Sequence, residues 1–251
     1  MTAPILKKSL MTATLAFASL GATQAAPQLL YADQLTAATP ADVRDEFLRG
    51  STAVALEGFE TQPLGIPAVA LNLFAGAGTL TQDEFSNGTI KQGAEQNGRF
   101  NTTPNCNVNT GCKWWETPAS FQVTLGSLKS AFGFFATDLG DLGGAINLDF
   151  WNDNTRVRSG IAVTQPTQTS GLLFFGWIDD TFSFNRVSFN LTQTNVNPAR
   201  FDYIGFDDLL AGVRTGNAGS SPVSAPASLA LVALSLGLLA ATRRRHPLAQ
   251  G

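Results

Sequence analysis

Four carboxylates occupy two segments that lie far apart along the chain. Glu57 and Glu60 belong to "LEGFE", and Asp207 and Asp208 are adjacent in "DYIGFDDL". Carboxylate oxygens are hard ligands of the kind that calcium takes. If the two segments lie on neighbouring strands, these side chains can gather there, and we predict a structural calcium. The alternative is that Glu60 and Asp208 face water at strand ends.

Two tryptophans, Trp114 and Trp115, follow a pair of cysteines in "NCNVNTGCKWW". An indole face can stack on a sugar ring while nearby Asn and Asp side chains bind its hydroxyl groups. Adjacent residues in a strand face opposite ways, so we expect at most one of the two to be exposed. We predict that Trp114 or Trp115 is a sugar-stacking platform. The alternative is core packing, which is favoured for Trp151 and Trp177.

The two cysteines of the chain are Cys106 and Cys112. In an oxidising compartment such a pair forms a disulfide, which here would close a small loop rich in Asn, Thr and Gly. Two sulfurs without histidine make a poor zinc site, and thiol-redox chemistry needs a closer spacing. We therefore predict a structural disulfide.

The only histidine, His246, stands in the C-terminal segment. This excludes Ser-His-Asp and Cys-His catalysis and histidine metal sites from the rest of the chain. Two carboxyl groups in a cleft can hydrolyse glycosides without histidine. The adjacent pair Asp179 and Asp180 diverges if it lies on one strand, and turn or strand-end positions explain it. We expect no enzymatic activity.

The chain carries 16 Lys and Arg against 19 Asp and Glu, a formal net charge of −3. Five basic residues lie in the two terminal segments, so the 11 that remain against 19 acids leave a charge of −8 between them. An acidic surface without a basic cluster argues against nucleic acid and anionic lipid as partners. It suits a cation or a neutral glycan, and it also aids solubility.

The elements that must position these residues are strands. In "SFQVTL", "AINLDF" and "RVSFNL" every second residue is apolar, and turn residues separate such runs. A period of two is typical of half-buried antiparallel strands. About ten runs and almost no helix predict an all-β antiparallel sandwich. Most of the 18 phenylalanines stand at inward positions, where they should fill the layer between the sheets.

One short helix is predicted before the strands, in "TPADVRDEFLRG". Thr39 can be its N-cap, Asp42 completes a capping box, and Gly50 ends it. The helix should pack on the domain as a lid. Its apolar face consists of Val43, Phe47 and Leu48.

Residues 1–26 predict a secretory signal peptide. Lys7 and Lys8 precede an apolar run, and the small residues of "ATQAAP" come after it, before a cut at Ala25 or Ala26. At the other end, the stretch 227–242 has no charge. As a helix it would span about 24 Å, slightly less than the hydrocarbon core of about 30 Å. The arginines beyond it can snorkel and keep the C-terminus cytoplasmic, so the rest of the chain lies outside.

The C-terminal segment resembles the PEP-CTERM sorting signal of Gram-negative, biofilm-forming bacteria. The usual motif reads Pro-Glu-Pro-Ala-Ser-Leu-Ala-Leu. Here "SAPASLAL" keeps Pro226 and residues 227–231, whereas Ser224 and Ala225 replace the first proline and the glutamate. The resemblance implies that an exosortase recognises and removes the tail, whose transmembrane helix holds the chain in the membrane until then. The arginine cluster of the signal is Arg243, Arg244 and Arg245.

The middle of the chain resembles other proteins that carry this signal. They have motifs similar to "LEGFE", "AFGFFATD", "FFGW" and "DYIGFDDL", which here extend from residue 56 to residue 209. These motifs resemble jelly-roll modules of the carbohydrate-binding and galactose-binding kind. The resemblance implies a jelly-roll-like sandwich.

The predicted function is non-catalytic binding of carbohydrate, in particular exopolysaccharide, by a protein exported through the inner membrane to the envelope, surface or matrix. The alternative is a structural or adhesion protein that contacts other proteins, and a glycoside-active enzyme is less expected. The predicted segments are a signal peptide (1–26), a short helical segment (27–50), the sandwich (51–215), a linker (216–222) and the sorting tail (223–251).

Overall fold

The computed structural model describes residues 26–67, 70–82, 88–93, 98–106, 112–140, 143–165, 171–193 and 203–215. The linker, the sorting tail and, apart from Ala26, the signal peptide lie outside these residues. In the part of the chain that is described, no helix is long and apolar enough to cross a membrane.

The described residues form strands joined mostly by short loops. In chain order the strands are β1 (Gln28–Ala32), β2 (Ser51–Glu57), β3 (Leu71–Leu73), β4 (Gly78–Gln82), β5 (Thr89–Gln92), β6 (Lys113–Thr117), β7 (Phe121–Lys129), β8 (Ala131–Thr137), β9 (Gly144–Asn152), β10 (Thr155–Thr164), β11 (Leu172–Ile178), β12 (Phe184–Gln193) and β13 (Ile204–Arg214). A 3-10 turn, Phe74–Gly76, links β3 to β4.

Two antiparallel sheets make the sandwich. The seven-stranded sheet has the order β1-β11-β8-β13-β6-β5, with β2 also paired to β13, and the six-stranded sheet has the order β10-β9-β12-β7-β4-β3. This confirms the predicted all-β antiparallel sandwich. The expected pairing of β2 with the last strand is also present, with Glu57 opposite Leu209. The segment 27–50, predicted only as helical, also supplies β1 to the first sheet.

Phenylalanine rings fill the space between the sheets, as the alternation predicted. Phe121 and Phe189 stack with centroids 4.3 Å apart, and Phe134 meets Phe189 edge-on at 5.1 Å. Such pairs add to the stabilisation that comes from burial alone. The buried phenylalanines of this layer are Phe59, Phe74, Phe121, Phe132, Phe134, Phe150, Phe175, Phe184, Phe189 and Phe206.

Among the described residues one α-helix, α1 (Pro40–Gly50), packs on the outer face of the seven-stranded sheet, against β1, β2, β8 and β11. Its capping box is formed, because Thr39 Oγ1 accepts from the N–H of Asp42 and the Asp42 side chain accepts from the N–H of Thr39. Phe47 is fully buried and meets Phe174 at 6.0 Å. Leu48 was expected on the same apolar face but is 40% exposed, so the buried stripe of α1 is narrower than predicted.

The two sheets differ in how much of their surface is covered. Every residue of β8 is buried, because it lies between the phenylalanine layer and α1. In β9, by contrast, buried and partly exposed residues alternate up to its last residue. Among the described elements, α1 packs on β1, β2, β8 and β11, and no helix or strand packs across the outer face of the six-stranded sheet.

We expect Phe47→Ala to lower the free energy of unfolding by about 3–5 kcal/mol, since it removes the ring that packs between α1 and the sheet and leaves a cavity. The matched change Leu48→Ala, one residue further along the same helix, should cost no more than about 0.5 kcal/mol because its side chain is exposed. Urea titration of both variants measures this. Equal losses would mean that α1 does not dock through Phe47.

Candidate functional site

Glu57, one of the predicted calcium ligands, is buried at the end of β2 with both oxygens occupied. Oε1 accepts from the N–H of Phe59 at 2.9 Å, and Oε2 accepts from the N–H of Phe74 at 2.7 Å. Phe59 and Phe74 have φ angles of 59° and 53°, and their buried N–H groups need an acceptor. Glu57 therefore joins two turns inside the protein.

Asp207 attaches the segment before the disulfide to β13. Its Oδ2 accepts from the N–H groups of Thr102 at 2.5 Å and Thr103 at 3.1 Å, and its Oδ1 accepts from the N–H of Asp208 at 2.8 Å. Burial raises the pKa of Asp207 well above its usual range, and the neighbouring Asp208 raises it further, whereas the hydrogen bonds lower it. These donors compensate for placing the carboxyl group in a site that is 1% exposed.

Asp208 and Glu60 bind the same segment. Asp208 Oδ1 accepts from Thr103 Oγ1 at 2.9 Å, and Glu60 accepts from the Asn101 amide at 3.0 Å and from the N–H of Lys113 at 3.1 Å. Burial is the main cause that raises the pKa of Asp208; the Thr103 hydrogen bond opposes it, and the charge of Glu60 adds to it.

Glu60, Asp207 and Asp208 thus lie around residues 101–103, and these three acids are termed the carboxylate cluster. Among the described residues, no group of three or more His, Cys, Asp or Glu side chains is arranged to hold a metal ion. Backbone and side-chain donors occupy both oxygens of Glu60, both oxygens of Asp207 and one oxygen of Asp208. Calcium binding stays a prediction. The alternative that Asp208 faces water is wrong, because it is 1% exposed.

A buried arginine that the sequence analysis did not single out, Arg99, forms ion pairs with Glu116 and Asp138. Arg99 is 7% exposed. Its Nε pairs with Glu116 at 3.1 Å and its Nη1 with Asp138 at 2.9 Å, and Lys91 also pairs with Glu116 at 3.2 Å. A buried cation is tolerated only with such partners. Arg99 therefore joins the chain before the disulfide to β6 and to the end of β8.

Trp114 and Trp115 have no exposed indole face, which corrects the prediction of a sugar-stacking platform there. Both are 0% exposed. Trp115 belongs to the layer between the sheets. Trp114 points the other way, where its Nε1 donates to the carbonyl of Gly93 at 2.7 Å. The two rings do face opposite sides, but each side is covered.

The disulfide between Cys106 and Cys112 is present, as predicted. Beside it lies a groove of about 370 Å³. Its lining residues are Gly93, Phe100, Asn101, Thr103, Asn105, Cys106 and Cys112. The side chains of Asn101 and Thr103 are already hydrogen-bonded within the protein, and Asn105 is the lining side chain that is exposed. The groove thus offers a ligand few free polar groups.

The outer face of the six-stranded sheet is a broad polar surface. Along β9 the residues between the buried Ile146, Leu148 and Phe150 point away from the core. The same alternation holds on the neighbouring strands. The outward side chains, termed here the outer face, are Asn72, Thr79, Thr81, Gln122, Thr124, Asn147, Asp149, Trp151, Arg156, Arg186, Ser188, Asn190 and Thr192.

One row of the outer face crosses all six strands. The strand register places its members directly opposite one another. With strands about 4.8 Å apart, the row is about 24 Å long. In order across the sheet it consists of Arg156, Trp151, Arg186, Thr124, Thr79 and Asn72. Such a row can contact several units of an extended polymer at once.

Trp151 is partly exposed on this face, whereas core packing was favoured for it. Core packing was also favoured for Trp177, which is 5% exposed and lies within the core. The signal that could have placed Trp151 outside is Phe150, because the residue after an inward-facing one in a strand faces outward.

Comparisons with known proteins give a limited result. No family model matches the chain, and no curated protein matches it. A solved structure of a family 29 carbohydrate-binding module covers 70% of this chain and 99% of its own, with 12% identity and a TM-score of 0.31. A variant of such a module covers 68% of this chain and 97% of its own, with 12% identity and a TM-score of 0.32.

The enzymatically active domain of tailspike protein 4 from bacteriophage CBA120 is also similar, with 14% identity and a TM-score of 0.32 over 54% of this chain and 19% of that one. Likenesses at these scores carry no weight for function. The function proposed below therefore rests on the geometry of the chain itself.

The carboxylate cluster predicts a pH dependence of stability. The pKa values of Asp207 and Asp208 are raised by burial, so the folded chain binds more protons than the unfolded chain above the usual aspartate pKa of about 3.9. The free energy of unfolding should therefore fall as the pH rises from there through the raised pKa values. Asp208→Asn removes one of these charges and should make the fall shallower.

Urea midpoints of the wild type and Asp208→Asn, taken across this pH range in chelator, measure the effect. The two proteins should converge at the acid end and separate toward neutral pH, where the variant is the more stable. Parallel curves would contradict the raised pKa values. Repeating the neutral points with calcium tests the metal, because a bound ion would stabilise the wild type more than the variant.

Proposed function

We propose that this chain is an exported, non-catalytic polysaccharide-binding protein and that the outer face of the six-stranded sheet is its binding surface. The observation that carries the proposal is the row of side chains that crosses all six strands. No described element covers it. A long polymer fits an open row better than it fits a closed pocket.

The chemistry of the outer face suits a glycan. Most of its side chains are amides and hydroxyls, which both donate and accept hydrogen bonds as sugar hydroxyl groups do. Asn72, Thr81 and Thr124 are exposed. Each such bond contributes only about 0.5–1.5 kcal/mol, so affinity has to come from several units bound side by side.

A non-catalytic role agrees with the positions of the acids. Glycoside hydrolysis needs two carboxyl groups on either side of a bond. Asp207 and Asp208 bind residues 102 and 103. In the pair considered for this chemistry, Asp179 is 1% exposed and accepts from the N–H of Thr181, and Asp180 pairs with Arg214 at 3.5 Å. Asp149 is the only carboxylate on the outer face as defined above.

Export and sorting form the second part of the proposal. The signal peptide and the PEP-CTERM-like tail are predictions from sequence, and the disulfide between Cys106 and Cys112 suits an oxidising compartment. In this proposal an exosortase removes the tail, and the domain reaches the surface or matrix of a Gram-negative bacterium. Exopolysaccharide is then the polymer within reach.

The proposal is tested by retention of the exported full chain, with its disulfide formed, on immobilised polysaccharides. The panel contains bacterial exopolysaccharides and neutral and acidic plant polymers, each with calcium and with chelator. We expect saturable retention. The double change Thr79→Ala and Thr124→Ala should weaken it about tenfold, through the loss of two hydrogen bonds of about 0.5–1.5 kcal/mol each.

Thr52→Ala is the control, because Thr52 is exposed like Thr124 but lies on β2 of the other sheet. It should bind like the wild type. If the double variant is retained as strongly as the wild type, the binding site lies elsewhere. If the wild type is not retained by any polymer in either condition, the proposal is wrong and the alternative, a structural protein that contacts other proteins, takes its place.

A further inference from the structure

We propose that the outer face takes an acidic polysaccharide, whose carboxylate or sulfate groups are bound by Arg156 and Arg186 on the two sides of Trp151. This rests on the function proposed above and names the class of polymer. It also departs from the expectation from composition, which found no basic cluster and suited a cation or a neutral glycan.

The two arginines and the indole form a stack across three strands. Arg156 on β10 and Arg186 on β12 are both opposite Trp151 on β9 in the strand register. Their guanidinium carbons lie 5.7 Å and 4.8 Å from the indole ring. Because β10 and β12 flank β9, the arginines approach the ring from the strands on its two sides. The indole thus holds two cations at fixed positions instead of stacking on a sugar itself.

The positive charge of the stack is only partly neutralised by the protein. Within the described part of the chain, Arg186 has no carboxylate within ion-pair distance. Arg156 pairs with Asp149 at 3.6 Å, and Arg158, exposed on the same strand, contacts the ring of Trp177 at 5.3 Å. Asp153, at the adjacent turn, is bonded to Asn185. Arg158 stands opposite the inward-facing Phe150 in the register, so it adds no charge to the outer face, where two arginines stand against one aspartate.

Donors in the stack also lack acceptors. Trp151 Nε1 and Arg186 Nε are enclosed and have no hydrogen-bond partner among the described residues. An enclosed donor without a partner destabilises a fold, so native proteins seldom keep two of them together. Because these two atoms are enclosed, a polymer would bind through the Nη groups of Arg186, which make no hydrogen bond within the described residues. The planar fork of a guanidinium matches a carboxylate or sulfate group through two parallel hydrogen bonds.

The stack is held in place by the bulge in β10. The register of β10 on β9 shifts between Arg156 and Ile161, and Gly160 within it has a φ of 69°, a conformation that favours glycine. Asp149 accepts from the N–H of Gly160 at 3.0 Å while it pairs with Arg156. A bulge can re-aim side chains, and here the same carboxylate fixes the bulge and the arginine. Such preorganisation reduces the entropy lost on binding.

Edge protection and nucleic-acid binding fit these residues less well than an acidic glycan does. Charges and bulges protect exposed edge strands from pairing, which could explain Arg156 and Arg158 on the edge strand β10. It does not explain Arg186, because β12 lies between β9 and β7. Nucleic acid would place a phosphate at every nucleotide, whereas the row beyond Arg186 is uncharged: Thr124, Thr79 and Asn72. A polymer with spaced charges and many hydroxyl groups matches the whole row.

The test compares polymers that share a backbone and differ in charge. The exported full chain is measured on polygalacturonate and alginate and on their esterified, uncharged forms, and on dextran, carboxymethyl-dextran and dextran sulfate. We expect tighter binding to the charged member of a pair, with a loss at high salt. The dextran series separates carboxylate from sulfate recognition.

Arg186→Gln should weaken binding to the charged polymer about tenfold or more, since a charged hydrogen bond contributes about 1.5–3 kcal/mol, and should leave binding to the uncharged form unchanged. Arg186→Lys keeps the charge but loses the planar fork, so its affinity for the charged polymer should lie between those of the wild type and Arg186→Gln. Arg49→Gln is the control, because Arg49 is exposed on α1, on the other side of the sandwich. Thermal melts check that the variants are folded.

Equal binding to charged and uncharged forms, or no effect of Arg186→Gln, overturns the inference and leaves the proposed function standing. Absence of binding to every polymer overturns both. Binding to double-stranded DNA with the same dependence on Arg186 would also overturn it, in favour of a general polyanion site.

Discussion

The seven-stranded sheet has to be covered on both faces, and the rest of the molecule is arranged around that requirement. β8 is buried throughout instead of alternating, and an uncovered face would leave Phe135 and Phe174 in water at about 1.5–3 kcal/mol each. The six-stranded sheet covers one face, and α1, through Phe47, packs on β1, β2, β8 and β11 at the other. The covering sheet therefore keeps an open face of its own, and among the described elements this is the broad surface left for a ligand.

Charge has two separate uses in this protein. Inside, the carboxyl groups of Glu57 and Asp207 accept hydrogen bonds from backbone N–H groups. The space beside them is so limited that a Cβ on Gly58 would lie 2.8 Å from Thr103 Oγ1. Outside, guanidinium groups stack on an indole. Because several acids are buried as acceptors, the net charge of the chain misrepresents its surface. That is why composition suited a cation or a neutral glycan while the outer face carries a positive stack.

Sequence reasoning succeeded where the determinant is local. The capping box needs only Thr39 and Asp42 three residues apart, and a half-buried strand must alternate wherever it lies. It failed where the determinant is the order of strands in space. Alternation correctly sets Trp114 and Trp115 on opposite sides of β6, but it does not reveal that both sides are covered. Trp151 was within reach of the same rule, since its neighbour in β9 faces the core, whereas its two arginine partners are brought to it by register alone.

The position of Trp151 gives the binding surface an optical reporter of its own. The other three tryptophans are at most 5% exposed, so a small quencher dissolved in the water collides mainly with the one indole between the guanidinium groups. The accessible part of the intrinsic fluorescence therefore comes from the outer face. A polymer lying along the row would shield that ring, and occupancy can be followed without a label, in the native chain and in the presence of the matrix itself.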